Sequence, residues 1–263
     1  MRLGLALEGW WSWLCRAGGG AARPAAPPAS SVAPAPAAAA REATLARQLA
    51  LVIDLDVCVG CQACVVSCKQ WNSAGAGGLP PDPGAWEAAP HGTFFNRVQT
   101  WESGTFPDTQ TLHLPKSCLH CEDPPCVPVC PTGASTKRAE DGIVLVDADK
   151  CIGCKYCSWA CPYGAREYDE ERGVMTKCTL CVDRVHDAAL PLQDRQPACV
   201  KACPTGARLF GDVKDPDSAV SRAIAERGGF ALMPEQGTRP ANRYLPRRGA
   251  GMGPASGNEG GEA

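Results

Sequence analysis

The sequence predicts an α+β fold of two tandem, internally related modules, and three observations point to it. Sixteen of the 17 cysteines fall into four groups of four, at 58–68, 118–130, 151–161 and 178–203, while Cys15 stands alone. Three groups end in one shared phrase, CPTGA (130–134), CPYGA (161–165) and CPTGA (203–207), and such self-similarity marks duplicated units. Short β-like runs border the groups: LVIDLDV (51–57) before the first, TLHLP (111–115) before the second, GIVLVDAD (142–149) before the third and ARLFGDV (207–213) after the fourth.

Residues 1–48 open with an apolar stretch broken by Glu8 and continue, over 17–40, as almost pure Ala, Pro, Gly and Ser. That composition buries too little apolar surface to offset the entropy of ordering, so a disordered extension is expected here and not a cleaved signal. Cys15, in SWLC, lacks the small neighbours of a lipid-attachment site and reads as an incidental thiol. Residues 49–215 carry the cysteine groups, with an insertion at about 71–110 between the first two. The insertion is Gly/Pro-rich but holds Trp71, Trp86, Phe94, Phe95 and Trp101, expected as satellite packing, with a protein contact as the second reading. Residues 216–248 form a C-terminal extension whose DPDSAVSRAIAERGG (215–229) reads as a helix, with Asp217 or Ser218 as N-cap and Gly228 past its end. It is expected to brace the module edge or, with the tail that follows, to dock on a partner. Residues 249–263, rich in Gly, are expected as a disordered tail.

Composition narrows the function. At 263 residues, 44% apolar and 21% charged, the chain matches an ordinary globular protein, and a formal net charge of −2 gives no basis for nucleic-acid binding. No uncharged apolar run reaches the roughly 18 residues of a membrane-spanning helix, because the long uncharged stretch at 24–40 contains five prolines.

The chemistry lies in the spacing. The groups read Cys58-x2-Cys61-x2-Cys64-x3-Cys68, Cys118-x2-Cys121-x4-Cys126-x3-Cys130-Pro, Cys151-x2-Cys154-x2-Cys157-x3-Cys161-Pro and Cys178-x2-Cys181-x17-Cys199-x3-Cys203-Pro. The first and third have the spacing of bacterial ferredoxins, and the others lengthen one gap. Thiols at every third residue can wrap one side of a cubane [4Fe–4S] cluster, and Gly60 and Gly153 suit close backbone approach in two of the loops. The fourth cysteine, about one helical turn further on, tends to point at a different cluster. Disulfides are disfavoured by thiols two residues apart, and zinc by a third cysteine at x2 and a fourth at x3 before proline. Four [4Fe–4S] clusters are therefore expected. Of His91, His113, His120 and His186, only His120 lies inside a group (CLHC), and with four cysteines in every group it reads as a packed residue. Lys137, Lys155 and Lys177 sit near ligands, where surface lysines are the commoner case and a potential-raising charge the other.

CVGCQACVVSCKQWN (58–72), SCLHCEDPPCVPVCPTGA (117–134), CIGCKYCSWACPYGA (151–165), KCTLCVDR (177–184) and PACVKACPTGARLFGD (197–212) resemble the iron–sulfur subunit of the dimethyl-sulfoxide-reductase family of molybdopterin oxidoreductases. Within it, GTFFNRVQTWE (92–102) and the region 215–248 are similar to the iron–sulfur subunit of sulfite dehydrogenase. The resemblance implies two tandem ferredoxin modules of the 2×[4Fe–4S] type with crossed ligand sets: Cys58, Cys61, Cys64 and Cys203; Cys118, Cys121, Cys126 and Cys161; Cys151, Cys154, Cys157 and Cys130; and Cys178, Cys181, Cys199 and Cys68. It further implies an electron-transfer subunit without a catalytic site of its own. Its partners would be a molybdopterin catalytic subunit and a multi-span, quinone-linked membrane anchor, with sulfite oxidation as the first reading. The expected location is the cytoplasmic face of the inner membrane, with the periplasmic face as the alternative. The same wiring in a dimethyl sulfoxide, polysulfide or tetrathionate reductase, and a free polyferredoxin-like carrier, are the competing readings.

Overall fold

The structure is a computed structural model that describes residues 46–72 and 93–248. Cys15, Trp86, His91, the tail 249–263 and nearly all of the N-terminal extension lie outside the described residues. Of that extension, 46–48 are described, and Gln48 is already part of the fold: it is fully buried, and its backbone N–H donates to Asp212 at 2.9 Å.

Among the described residues the chain runs β1 (Leu49–Asp54), α1 (Ala63–Asn72), β2 (Asn96–Ser103), β3 (Gln110–Ser117), β4 (Ser135–Lys137), β5 (Val144–Val146), α2 (Tyr156–Trp159), β6 (Glu167–Asp169), β7 (Val174–Thr176), α3 (Val182–Val185), α4 (Ala198–Lys201), β8 (Arg208–Asp212), α5 (Ala219–Arg227) and β9 (Arg243–Leu245). Small sheets and short helices are interleaved, the α+β mixture read from the sequence. LALVID, apolar until its last residue, is buried at every position because β1 is a central strand. It pairs antiparallel with β8 (Leu51 opposite Phe210) and parallel with β9 (Ile53 opposite Tyr244). Three hairpins, β2–β3, β4–β5 and β6–β7, complete the strand pairing.

The C-terminal extension folds back onto this sheet. Ser218 caps α5, its hydroxyl accepting the Ser221 N–H at 3.2 Å, and Gly228 ends the helix in the left-handed region. Val220 packs on Val52 and Leu245, and Arg227 grips the Asp54 carboxylate with both terminal nitrogens, at 2.7 and 3.2 Å. Residues 241–245, expected as docking tail, are instead interior: Ala241, Asn242, Tyr244 and Leu245 are all buried. A three-residue strand such as RYL has no periodicity of its own to read; its pairing with β1 buries it.

The insertion also differs from expectation. NRVQTWES, which shows no clear apolar pattern, is strand β2, paired residue for residue with β3 from Asn96 opposite Ser117 to Ser103 opposite Gln110. Most of β2 is exposed, so backbone pairing and not burial defines it. Its aromatic residues divide. Phe94 is core, with the Lys69 ammonium 4.1 Å from its ring centre, while Trp71 is half-exposed and donates to Asp183 at 2.9 Å under the Arg184 guanidinium.

Asn242 joins the sheet to the second cysteine group. Its side-chain oxygen accepts the Leu51 N–H at 2.8 Å and its amide donates to the Cys118 carbonyl at 3.0 Å, with no solvent contact. Asn242→Ala leaves a buried donor and a buried acceptor unmet, each costing about 1–3 kcal/mol. The expected outcome is a clear fall in the chemical-denaturation midpoint of the anaerobically prepared protein, larger than that of a substitution at exposed Phe106.

Candidate metal centre

Backbone pairing decides which thiols meet. Because β1 and β8 are antiparallel, the end of β1 lies beside the start of β8, and the Asp54 N–H donates to the Ala207 carbonyl at 2.7 Å. The first cysteine group leaves that end of β1, and Cys203 leads into that start of β8. The Cys58 thiol, pushed up mainly by burial, also feels Cys64 and Cys203. Next to it α1 packs on α4, with Ser67 donating to the Ala198 carbonyl at 3.1 Å. Cys68, one turn beyond Cys64, is pushed far above the ordinary thiol range by burial and by Cys178, Cys199 and Cys181. The Asn72 amide reaches both Cys68 and Cys181 sulfur at 3.6 Å.

The inner groups meet in the same way. β4 follows Cys130 and β5 precedes Cys151, so the pairing of Ser135 with Val146 carries the end of one group to the start of the next. Cys130, Cys151, Cys154 and Cys157 line one small cavity, and Cys118, Cys121, Cys126 and Cys161 line another. The modules, tandem in sequence, are thus nested in space, outer groups with outer and inner with inner.

The four thiol sets also abut in a definite order. Cys199 feels Cys64, Cys178 feels Cys118, and Arg166 belongs to the walls of both cavities. On the ligand sets that the family resemblance implies, these proximities give the order 58/61/64/203, 178/181/199/68, 118/121/126/161 and 151/154/157/130. Among the sixteen group cysteines only Cys61 and Cys154 are exposed, one in each terminal set.

Charge inside the molecule is arranged around sulfur. Burial raises Cys126, Cys157, Cys181 and Cys199, and pushes Cys121 and Cys178 to about 12. Backbone N–H groups act the other way at the shared phrase. Burial pushes Cys130 and Cys203 up, but the Thr132 and Thr205 hydroxyls and the amides of the following turn, from Thr132, Ala134 and Ser135 and from Thr205, Ala207 and Arg208, bring both thiols below the ordinary value. Gly60 and Gly153 do allow close approach, though by protein. A side chain at Gly60 would strike the His113 ring, and one at Gly153 the Gly173 carbonyl.

Two residues in this interior escaped the sequence reading: Arg166 and Arg208, 6% and 3% exposed. The signal was present, since the shared phrase continues as CPYGAR and CPTGAR at 161–166 and 203–208. Lys177 is also no surface lysine. It is buried, and its ammonium donates to the Val144 and Cys178 carbonyls, while Lys137 donates to the Cys121 and Glu122 carbonyls at 3.1 and 3.0 Å. Lys155 lies 3.9 Å from the Tyr168 ring centre. His120 is fully buried and accepts the Val144 N–H at Nδ1 (3.1 Å), and burial beside Lys177, Arg166 and Lys137 holds the imidazole neutral.

This donor set suits a polynuclear cluster. All sixteen group cysteines are free. Among the described residues no three His, Cys, Asp or Glu converge closely enough to hold one metal ion, as Zn²⁺ with sulfur at about 2.3 Å requires. Four thiols instead stand around the wall of each inner cavity, where separate iron corners of one cluster could each take one. Without iron the buried thiols stay protonated. A thiol raised on folding from its ordinary 9.0 contributes stability that is present below that value and lost above it, because the unfolded chain ionises there while the folded one resists. The iron-free, reduced protein is expected to hold its thermal midpoint up to about pH 9 and to lose it progressively at higher pH.

The 4Fe–4S dicluster domain matches this chain twice, over residues 57–134 and residues 109–213. The sequence is 71% identical over 201 residues to the B subunit of sulfite dehydrogenase from Allochromatium vinosum, covering 76% of this chain and 84% of that protein. It is 42% identical over 198 residues to the B subunit of tetrathionate reductase from Salmonella typhimurium, covering 74% and 71%. Against the B subunit of anaerobic dimethyl sulfoxide reductase from Escherichia coli it is 36% identical over 210 residues, covering 73% and 92%. Dicluster signatures across both cysteine-rich halves and identity at this depth lead to one conclusion: the chain belongs to the electron-transferring iron–sulfur subunits of the dimethyl-sulfoxide-reductase family of molybdopterin oxidoreductases.

Proposed function

We propose that this chain carries four [4Fe–4S] clusters as a linear relay between a molybdopterin catalytic subunit and a quinone-linked membrane anchor, serving sulfite oxidation at the cytoplasmic face of the inner membrane. The ligand sets are Cys58, Cys61, Cys64 and Cys203; Cys178, Cys181, Cys199 and Cys68; Cys118, Cys121, Cys126 and Cys161; and Cys151, Cys154, Cys157 and Cys130. When bound, such clusters supply one-electron centres whose potentials depend on charge, hydrogen bonding and solvent exposure.

The observation that carries the reading is the exposure of Cys61 and Cys154 alone among the group cysteines, at opposite ends of the run of thiol sets. A relay needs its middle insulated and both ends reachable. Apolar side chains flank each reachable end: Val59 beside Cys61, and Ile152, Tyr156 and Trp159 around Cys154, with Trp159 85% exposed. Large exposed apolar side chains of this kind suit permanent partners better than a freely diffusing carrier. Sulfite is favoured over other substrates by the 71% identity to the Allochromatium vinosum protein, against 42% and 36% to the tetrathionate and dimethyl sulfoxide reductase relatives.

The test is anaerobic purification of the complex from membranes. About sixteen iron and sixteen acid-labile sulfide atoms per chain, a co-purifying molybdenum subunit and sulfite-dependent quinone reduction are expected. Zinc in place of iron, or a monodisperse single subunit, contradicts the relay; quinol oxidation by tetrathionate or a sulfoxide, without activity on sulfite, reassigns the substrate.

A further inference from the structure

We propose that Arg166 and Arg208 are matched positive charges of the relay, each seated between two neighbouring thiol sets and raising the potentials of both clusters those sets hold. The inference rests on the four-cluster reading above.

Both guanidinium groups are buried, and neither forms an ion pair with a carboxylate among the described residues. A buried charge is costly unless something of opposite sign answers it. Sulfur is what surrounds these two. Arg166 stands in the walls of both inner cavities, so one side chain borders the 118/121/126/161 set and the 151/154/157/130 set together. Its Nη2 donates to Ser135 at 2.7 Å, which fixes the plane of the group, while Nη1 is buried without a hydrogen bond. Arg208 repeats the arrangement in the outer pair. Its Nη2 donates to Asn96 at 2.7 Å, and its Nη1 lies 3.6 Å from the sulfur of Cys199 in one set. Cys64, in the neighbouring set, is the other sulfur within its electrostatic reach.

The positions are equivalent in the duplicated sequence. Each arginine is the fifth residue after the last cysteine of its group, Cys161 or Cys203. The same position after Cys130 is Ser135, the residue that holds Arg166. Duplication therefore leaves one guanidinium for each nested pair. A fixed positive charge at close range stabilises the more negative, reduced state of both neighbours, and burial limits its screening.

The experiment is a potentiometric titration followed by electron paramagnetic resonance, on the complex with Arg166→Gln, Arg208→Gln and the corresponding lysine variants. Arg166→Gln is expected to shift two of the four couples to more negative potential by tenfold or more in the reduction equilibrium, about 59 mV for one electron. Arg208→Gln is expected to shift the other two, and both lysine variants to remain near the parent values. Unmoved potentials at full iron content, or lysine variants displaced as far as the glutamine ones, overturn the inference. If the glutamine variants lose iron, full iron and parent potentials in the lysine variants still favour the charge, whereas iron loss in both kinds assigns the arginines to packing. An iron content short of about sixteen in the parent itself counts against the four-cluster reading and leaves its failure distinct from that of the arginines.

Discussion

The antiparallel pairing of β1 with β8 is the constraint on which the rest of this molecule depends. It joins residues far apart in the chain, Leu49 opposite Asp212 and Ile53 opposite Arg208, and so brings the last cysteine of the fourth group to the loop of the first. The β4–β5 hairpin does the same for the inner groups over a much shorter span. Crossing follows from strand direction, with no special property needed of the thiols. β9 and α5 then pack on this sheet, and Asn242 ties it to the second cysteine group through Leu51 and Cys118.

Within that frame the interior handles charge in an unusual way. Buried thiols resist ionisation, yet the buried guanidinium groups of Arg166 and Arg208, with no carboxylate partner among the described residues, stand among them, and two thiols meet a fan of backbone amides. Each feature makes sense beside an anionic inorganic group and little sense in an ordinary core. Cys68, Cys178, Cys181 and Cys199 are all buried while Cys61 and Cys154 are exposed, so the same packing that stabilises the fold decides which thiols solvent reaches.

Much of this was legible in the chain. Cysteine spacing pointed to iron–sulfur chemistry because few other groups need thiols at that pitch, and the four β-like runs beside the groups coincide with β1, β3, β5 and β8. Ser218 and Gly228 bounded α5 through local chemistry alone. What stayed hidden depends on contacts between distant residues. β2 has no apolar pattern, since its pairing with β3 defines it; β9 is too short to show periodicity; Lys177 looks like a surface residue until β5 closes over it. Arg166 and Arg208 differ from these, because they stand one position past the five-residue phrase that marks the duplication.

The most direct measurement compares single cysteine-to-serine changes at Cys58, Cys199 and Cys203 by electron paramagnetic resonance of the reduced complex. If the sets are crossed, Cys58→Ser and Cys203→Ser alter the same signal and Cys199→Ser alters a different one. Cys199→Ser and Cys203→Ser altering one signal together, with Cys58→Ser affecting another, would contradict it.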